Sequence, residues 1–263
     1  MKKLFGLLAL VLAVVSCQND FDGTNLRGDE VAVTLNVAVP DDATRAAGSD
    51  SALSGLQNID LQKDYDIRYI LEVYDENGTL AKNRMVNREK ESTETSFSLR
   101  LVPGRHYSFV VWADFIPQNQ DGEGDFHYNT ASLANVTLHD DSYQHPMDES
   151  RDAYTGVFNT KEEGEGKVFS SATSVNITLT RPFAKLRIVT TDMNELYSKL
   201  TYATVTYNNT DIYTSFNAIK EEPVKTSTLS NLSKAVNYRG ESFIYAGEPT
   251  KDGKMTLYAD YFF

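Results

Sequence analysis

From Val31 to Val39 apolar and polar positions alternate one by one. Val31, Val33, Leu35, Val37 and Val39 share one face, Ala32, Thr34, Asn36 and Ala38 the other, and Pro40 ends the run. Successive side chains of a strand point to opposite faces, so this pattern predicts a strand with one face in a core. Similar runs follow at short spacing. IRYILEVYD (67–75) precedes Glu76-Asn77-Gly78, whose Asn-Gly pair is a strong hairpin signal, and TLAKNRMV (79–86) returns. TSFSLRLVPG (95–104) turns Phe97, Leu99 and Leu101 inward. HYSFVVWADF (106–115) carries the only tryptophan, Trp112, in a run aromatic enough to be a central strand. The theme continues in SLANVTLHD (132–140), DAYTGVFNT (152–160), SVNITLT (174–180), FAKLRIVT (183–190), YATVTYN (202–208), DIYTSFN (211–217), SFIYAG (242–247) and MTLYADYFF (255–263). Only DMNELYSKL (192–200) has a helical look. Short strands separated by turns every 8 to 12 residues or so indicate an all-β chain built of sandwiches.

The N-terminus follows a different pattern. Lys2 and Lys3 precede about a dozen apolar residues, Leu4 to Val15, too few for a bilayer-spanning helix, which needs about 20. This is the form of an export signal. Val14-Val15-Ser16-Cys17 resembles the lipobox of bacterial lipoproteins. That resemblance implies cleavage before Cys17, acylation of its thiol, and attachment to outer-membrane lipid. Cys17 is the only cysteine, so no disulfide can form within the chain. QNDFDGTNLRGDE (18–30) is polar and aperiodic, as a tether is. Its Asp20 and Asp22 resemble the acidic signals that send some Bacteroidota lipoproteins to the cell surface. Arg27-Gly28-Asp29 within it matches an adhesion tripeptide, which three residues do easily by chance.

Loss of residues 1–16, with Lys2 and Lys3, takes the formal charge from −12 to −14 and leaves 247 residues. Such a surface repels phosphate backbones, which argues against a nucleic-acid partner. Catalytic patterns are lacking: His106, His127, His139 and His145 show no ligand spacing, and neither a nucleophile elbow nor a phosphate-binding loop occurs. No cofactor is expected. Asp121, Glu123 and Asp125, at alternate positions in a Gly-rich loop, form a weak calcium candidate whose ordinary reading is a solvated acidic loop. Asp50-Ser51-Ala52 resembles the short O-glycosylation acceptor of Bacteroidota.

After the first strand comes DDATRAAGSDSALSG (41–55), small and polar with one basic residue, Arg45, the sort of loop that proteases nick. A lipobox, an alternating first strand, the loop arginine in ATRAAG and the strands that follow resemble the fimbrillins, lipoprotein-derived subunits of type V pili. YILEVYDENG, SLRLVPGRHYSFVVWADF, LANVTL and DAYTG are more similar to an uncharacterised fimbrillin-like lipoprotein domain of Bacteroidota. VNITLTRPFAKLRIVTT resembles the passage between the two domains of fimbrillins. The resemblance implies two tandem transthyretin-like or Ig-like β-sandwiches, at 30–173 and 174–263, after a signal peptide (1–16) and a tether (17–29). It also implies a mechanism: a cut between Arg45 and Ala46, departure of the strand Val31–Val39, and replacement by a strand of another subunit. Pilin subunits usually place a donor or closing strand at their end. Here the chain stops at the apolar MTLYADYFF, which is either that strand or the sign of an incomplete second sandwich, the reading that its few strands favour.

Three function classes remain open on the sequence. The first is a non-enzymatic fimbrillin-like surface subunit, structural, anchoring or adhesive, meeting other pilus subunits and host or bacterial surface ligands. The second is a glycan-binding lipoprotein of an uptake system, suggested by Tyr107, Trp112, Phe115, Tyr128 and Tyr143. The third is a glycosidase, whose two carboxylates no sequence spacing can reveal.

Overall fold

The structure is a computed structural model that describes residues 30–40, 64–120, 124–139, 146–161, 169–225, 228–230, 232–238 and 251–263. Strands dominate. In chain order they are β1 Val31–Ala38, β2 Tyr65–Asp75, β3 Leu80–Glu89, β4 Glu94–Leu101, β5 Tyr107–Pro117, β6 Tyr128–Asn129, β7 Val136–Leu138, β8 Ala153–Asn159 and β9 Thr173–Thr178. The second half contributes β10 Ala184–Thr190, β11 Tyr202–Thr206, β12 Ile212–Tyr213, β13 Ser215–Asn217, β14 Glu222–Pro223, β15 Thr228–Leu229, β16 Ser233–Asn237 and β17 Met255–Phe262. The segment with a helical look holds a single 3-10 turn, Tyr197–Lys199. The strand expected at 242–247 lies outside the described residues.

Two sheets face each other. One has the order β4-β1-β9, the other β3-β2-β5-β8. The β2–β3 hairpin closes where the sequence predicts: Gly78 N–H donates to Asp75 O at 3.0 Å, and Gly78 takes φ +74°, which a glycine adopts without a Cβ clash. Between the sheets lie Val33, Leu35, Val37 and Val39 of the first strand region, Phe97, Leu99 and Leu101 of β4, Val175 and Ile177 of β9. Ile67, Tyr69, Leu71 and Val73 of β2 and Phe109, Val111 and Phe115 of β5 meet them. β4 alternates strictly, buried at every second residue. β2 does not: residues 66–73 are all buried.

The reason is a second layer. Ile70, Val110 and Trp112 point away from the first core and pack with Tyr128, Val136, Leu138 and Phe216. This outer cover is the sheet β14-β13-β7-β6, in which Phe216 of β13 pairs with Val136 of β7. A third core, around Met193, Val236, Met255, Tyr258 and Ala259, lies where β10 pairs with β17 and β11 with β16.

Two pairings depart from a division at residue 173. β9, which the sequence places at the head of a second sandwich, runs parallel beside β1, Val33 opposite Thr173 through Ala38 opposite Thr178. β13 returns from the second half to cover the first. β1 and β9 run parallel and β13 pairs antiparallel with β7, but in both cases the partners are far apart along the chain and joined by no hairpin turn, so the sequence carries no mark of either contact.

Candidate functional site: the groove filled by the first strand

β1 is the middle strand of its sheet. It pairs antiparallel with β4 along its whole length, Val31 opposite Leu101 to Ala38 opposite Glu94, and parallel with β9 on its other edge. Val39 N–H donates to Thr93 O at 3.0 Å and Leu179 N–H to Ala38 O at 2.9 Å, extending both ladders. Valine and leucine at every second position suit a pleated, half-buried surface. Val33, Leu35, Val37 and Val39 are at most 3% exposed, and Val31 at the open end is half-buried. On the solvent face the Asn36 amide donates to Ser174 Oγ (3.0 Å) and Asn176 Oδ1 (2.8 Å), fixing the parallel register. A shallow depression lined by Asn36, Ala38, Thr95, Ser96, Asn176 and Thr178 opens at the strand's C-terminal end.

Without β1, a slot remains between β4 and β9. Both walls of it would present unpaired N–H and C=O groups, and its floor would be the apolar face of the opposite sheet. An extended segment with alternating aliphatic residues is the chemical complement of such a slot. The four buried positions of the predicted exchangeable strand are brought together here. Cys17, Arg45, Ala46, Asp121, Glu123 and Tyr143 lie outside the described residues.

The other sequence candidates are placed differently. Asp125 accepts from Arg68 Nη1 at 2.9 Å, Thr130 Oγ1 at 2.7 Å and Thr130 N–H at 3.1 Å. Burial opposes its charge, and these donors override burial, so its carboxyl sits below the usual range. The candidate calcium ligand is thus engaged by the protein's own groups. Among the described residues no three His, Cys, Asp or Glu side chains are gathered to hold a metal. Tyr107, Trp112, Phe115 and Tyr128 are no more than 4% exposed. Trp112 packs edge-on against Tyr128 at 5.3 Å. The first core claims Tyr107 and Phe115 and the second Trp112 and Tyr128, so these rings offer no platform for a sugar.

What the sequence did not disclose is a set of buried ion pairs. Arg68 of β2 and Asp114 of β5, directly opposite in register, form a two-pronged pair at 2.8 and 2.6 Å. Residues 149–152, Glu-Ser-Arg-Asp, reach into the second half: Glu149 accepts from Lys185 (2.8 Å), Asp152 from Arg181 Nε (2.9 and 3.0 Å), and Arg151 Nη1 donates to Asp260 Oδ1. Asp260 also receives Lys234 Nζ and the Tyr258 hydroxyl at 2.8 Å. Burial, then the Arg151 charge, push Lys234 down to about 8, against the pull of Asp260. The charge of Glu149, Arg151 and Asp152 is dense in the sequence, but their oppositely charged partners Lys185, Asp260 and Arg181 lie 29 or more residues downstream.

A family model of unknown function, DUF6562, matches residues 24–263. The chain belongs to this family. No curated protein matches the DUF6562 chain. Solved structures similar to it include a proposed cell adhesion protein from Bacteroides eggerthii (12% identity, TM-score 0.43, 89% of this chain and 70% of that one). Others are the fimbrial anchor protein Mfa2 of Porphyromonas gingivalis (12%, 0.37, 89% and 72%) and its tip fimbrial protein Mfa3 with C-terminal truncation (12%, 0.42, 87% and 68%).

Proposed function

We propose that the protein is a non-enzymatic, fimbrillin-like surface subunit, anchored to outer-membrane lipid through acylated Cys17, whose first strand is an exchangeable element. The observation that carries this reading is the position of β1: central, bonded on both edges, and flanked in sequence by the tether on one side and the Arg45 loop on the other. A strand at a sheet edge could peel away and leave a sound sandwich. A central strand leaves a vacancy that only another strand can fill.

The energetics limit how exchange proceeds. Four buried aliphatic side chains at about 1.5–3 kcal/mol each make the strand worth on the order of 10 kcal/mol, before its ladder is counted. Whole domains are stable by about 5–15 kcal/mol. Spontaneous loss of β1 would therefore unfold the sandwich, so release requires a cut in the adjoining loop and an incoming strand that takes its place residue by residue. While the loop is intact the subunit stays closed and tethered, the state suited to an anchor. After a cut following Arg45 it becomes a receiver for another subunit.

Intact mass and N-terminal sequencing of the native protein from the outer-membrane fraction test the reading. A lipid-modified Cys17 terminus supports a retained anchor, and a terminus at Ala46 supports processing and strand exchange. A mature chain that starts at any other residue and carries no lipid overturns both forms.

A further inference from the structure

Lys234 of β16 and Asp260 of β17 belong to different sheets, and their side chains meet in the interior with exposures of 1% and 0%. Lysine and aspartate are almost never buried so fully unless paired. We propose that this pair condenses into an intramolecular isopeptide bond, joining Lys234 Nζ to Asp260 Cγ with loss of one water.

The surroundings hold the groups that amide formation needs. Lys234 Nζ lies against Oδ2, Arg151 Nη1 donates to Oδ1, and the Tyr258 hydroxyl donates to Oδ2 at 2.8 Å. The Tyr207 hydroxyl donates in turn to that of Tyr258 at 3.0 Å. The Phe262 ring sits 5.6 Å from Nζ and meets the Tyr207 ring edge-on at 5.1 Å, so the site is walled by aromatic surface. In such a site an ion pair competes with its neutral form, amine and carboxylic acid, because low dielectric penalises charge. Burial and the Arg151 cation bias Lys234 in that direction, to about 8.

The step balances without a co-reactant. One proton moves from the Nζ ammonium to Oδ2, giving amine and acid. The amine lone pair adds to Cγ, and the carbonyl π electrons move to Oδ1, where the Arg151 guanidinium faces the negative charge. A second Nζ proton passes to Oδ2, with the Tyr258 hydroxyl as the adjacent relay. The Cγ–Oδ2 bond then breaks, water leaves, and the electrons on Oδ1 restore the carbonyl. The amide nitrogen keeps the third proton, and nothing is oxidised or reduced.

The bond would replace two buried charges by a neutral amide and clip the β11–β16 pair to the β10–β17 pair. A chain whose single cysteine is the first residue of the tether has no disulfide with which to do this. The inference stands independently of strand exchange.

Electrospray mass measurement of the intact protein, followed by proteolysis and fragment sequencing, tests it. The expected result is a mass one water below that of the polypeptide and a branched peptide joining Lys234 to Asp260. Lys234→Arg, which keeps the charge but cannot condense here, is expected to show the full mass. A wild-type chain at full mass overturns the proposal, as does a water loss that maps elsewhere or persists in Lys234→Arg. Should that variant fail to fold, the wild-type mass and fragment map decide alone.

Discussion

Truncating Leu35 to alanine probes the filled groove directly. Leu35 is fully buried at the centre of β1, opposite Phe97 on β4 and Val175 on β9, in the core between the two facing sheets. Removing its three terminal carbons forfeits the transfer energy of the lost surface and leaves a cavity, because walls made of Phe97, Val175 and the opposite sheet collapse only in part. Such truncations cost about 2–5 kcal/mol, and a site enclosed on all sides belongs in the upper half of that range. Leu35→Asp loses the same packing and also buries a carboxyl with no partner, so the penalty approaches the whole stability of a domain. Ala32→Asp, on the exposed side of the same strand, provides the control and should change stability by no more than about 0.5 kcal/mol. Urea unfolding of the uncut protein, followed by Trp112 fluorescence, reads all three, since Trp112 sits in the sheet that closes the other side of this core. A shift in midpoint at constant slope is the expected form of the Leu35→Ala result. Equal midpoints for Leu35→Ala and the parent would refute the docking of β1 in the core, and with it the account of the groove.

Four further outcomes are expected. Arg68→Met should destabilise by about 3–5 kcal/mol because Asp114 is left buried without its guanidinium, and Arg68→Met/Asp114→Asn should recover part of the loss in a double-mutant cycle. An ionisable Lys234 held at about 8 when folded, against 10.5 when unfolded, means the unfolded chain binds more protons between those values, so stability would rise with pH through that window. Condensation with Asp260 removes the titrating amine, so urea midpoints of the native protein on either side of the window should show no such rise. Affinity gels loaded with polysaccharide should not retard the protein, since Tyr107, Trp112, Phe115 and Tyr128, four of the rings proposed for sugar contact, are in the core; clear retardation would reinstate the glycan-binding reading. Asn36→Ala should cost about 1 kcal/mol, the scale of hydrogen bonds made at a partly exposed sheet face, read by the same urea melts.

The period-two runs determined much on their own: that the chain is all-β, that Val31–Val39 buries one face, that Phe97, Leu99 and Leu101 point inward, and that Asn77-Gly78 closes a hairpin. Each of these depends on neighbours within a few residues, where side-chain direction and turn geometry are local properties. Tertiary structure decided the rest. The central place of β1 depends on β9, about 140 residues away, and parallel pairing leaves no local trace. The burial of Trp112 and Tyr128, which removed the sugar platform, depends on β13 crossing from the second half of the chain. Arg68 with Asp114, and Lys234 with Asp260 and Arg151, read in the sequence as ordinary surface charges, because a charge is recognised as buried only when the elements that enclose it are known. Pattern is set by nearest neighbours along the chain, whereas which strand lies beside which, and which charges lose their water, is set by packing among segments that the sequence keeps far apart.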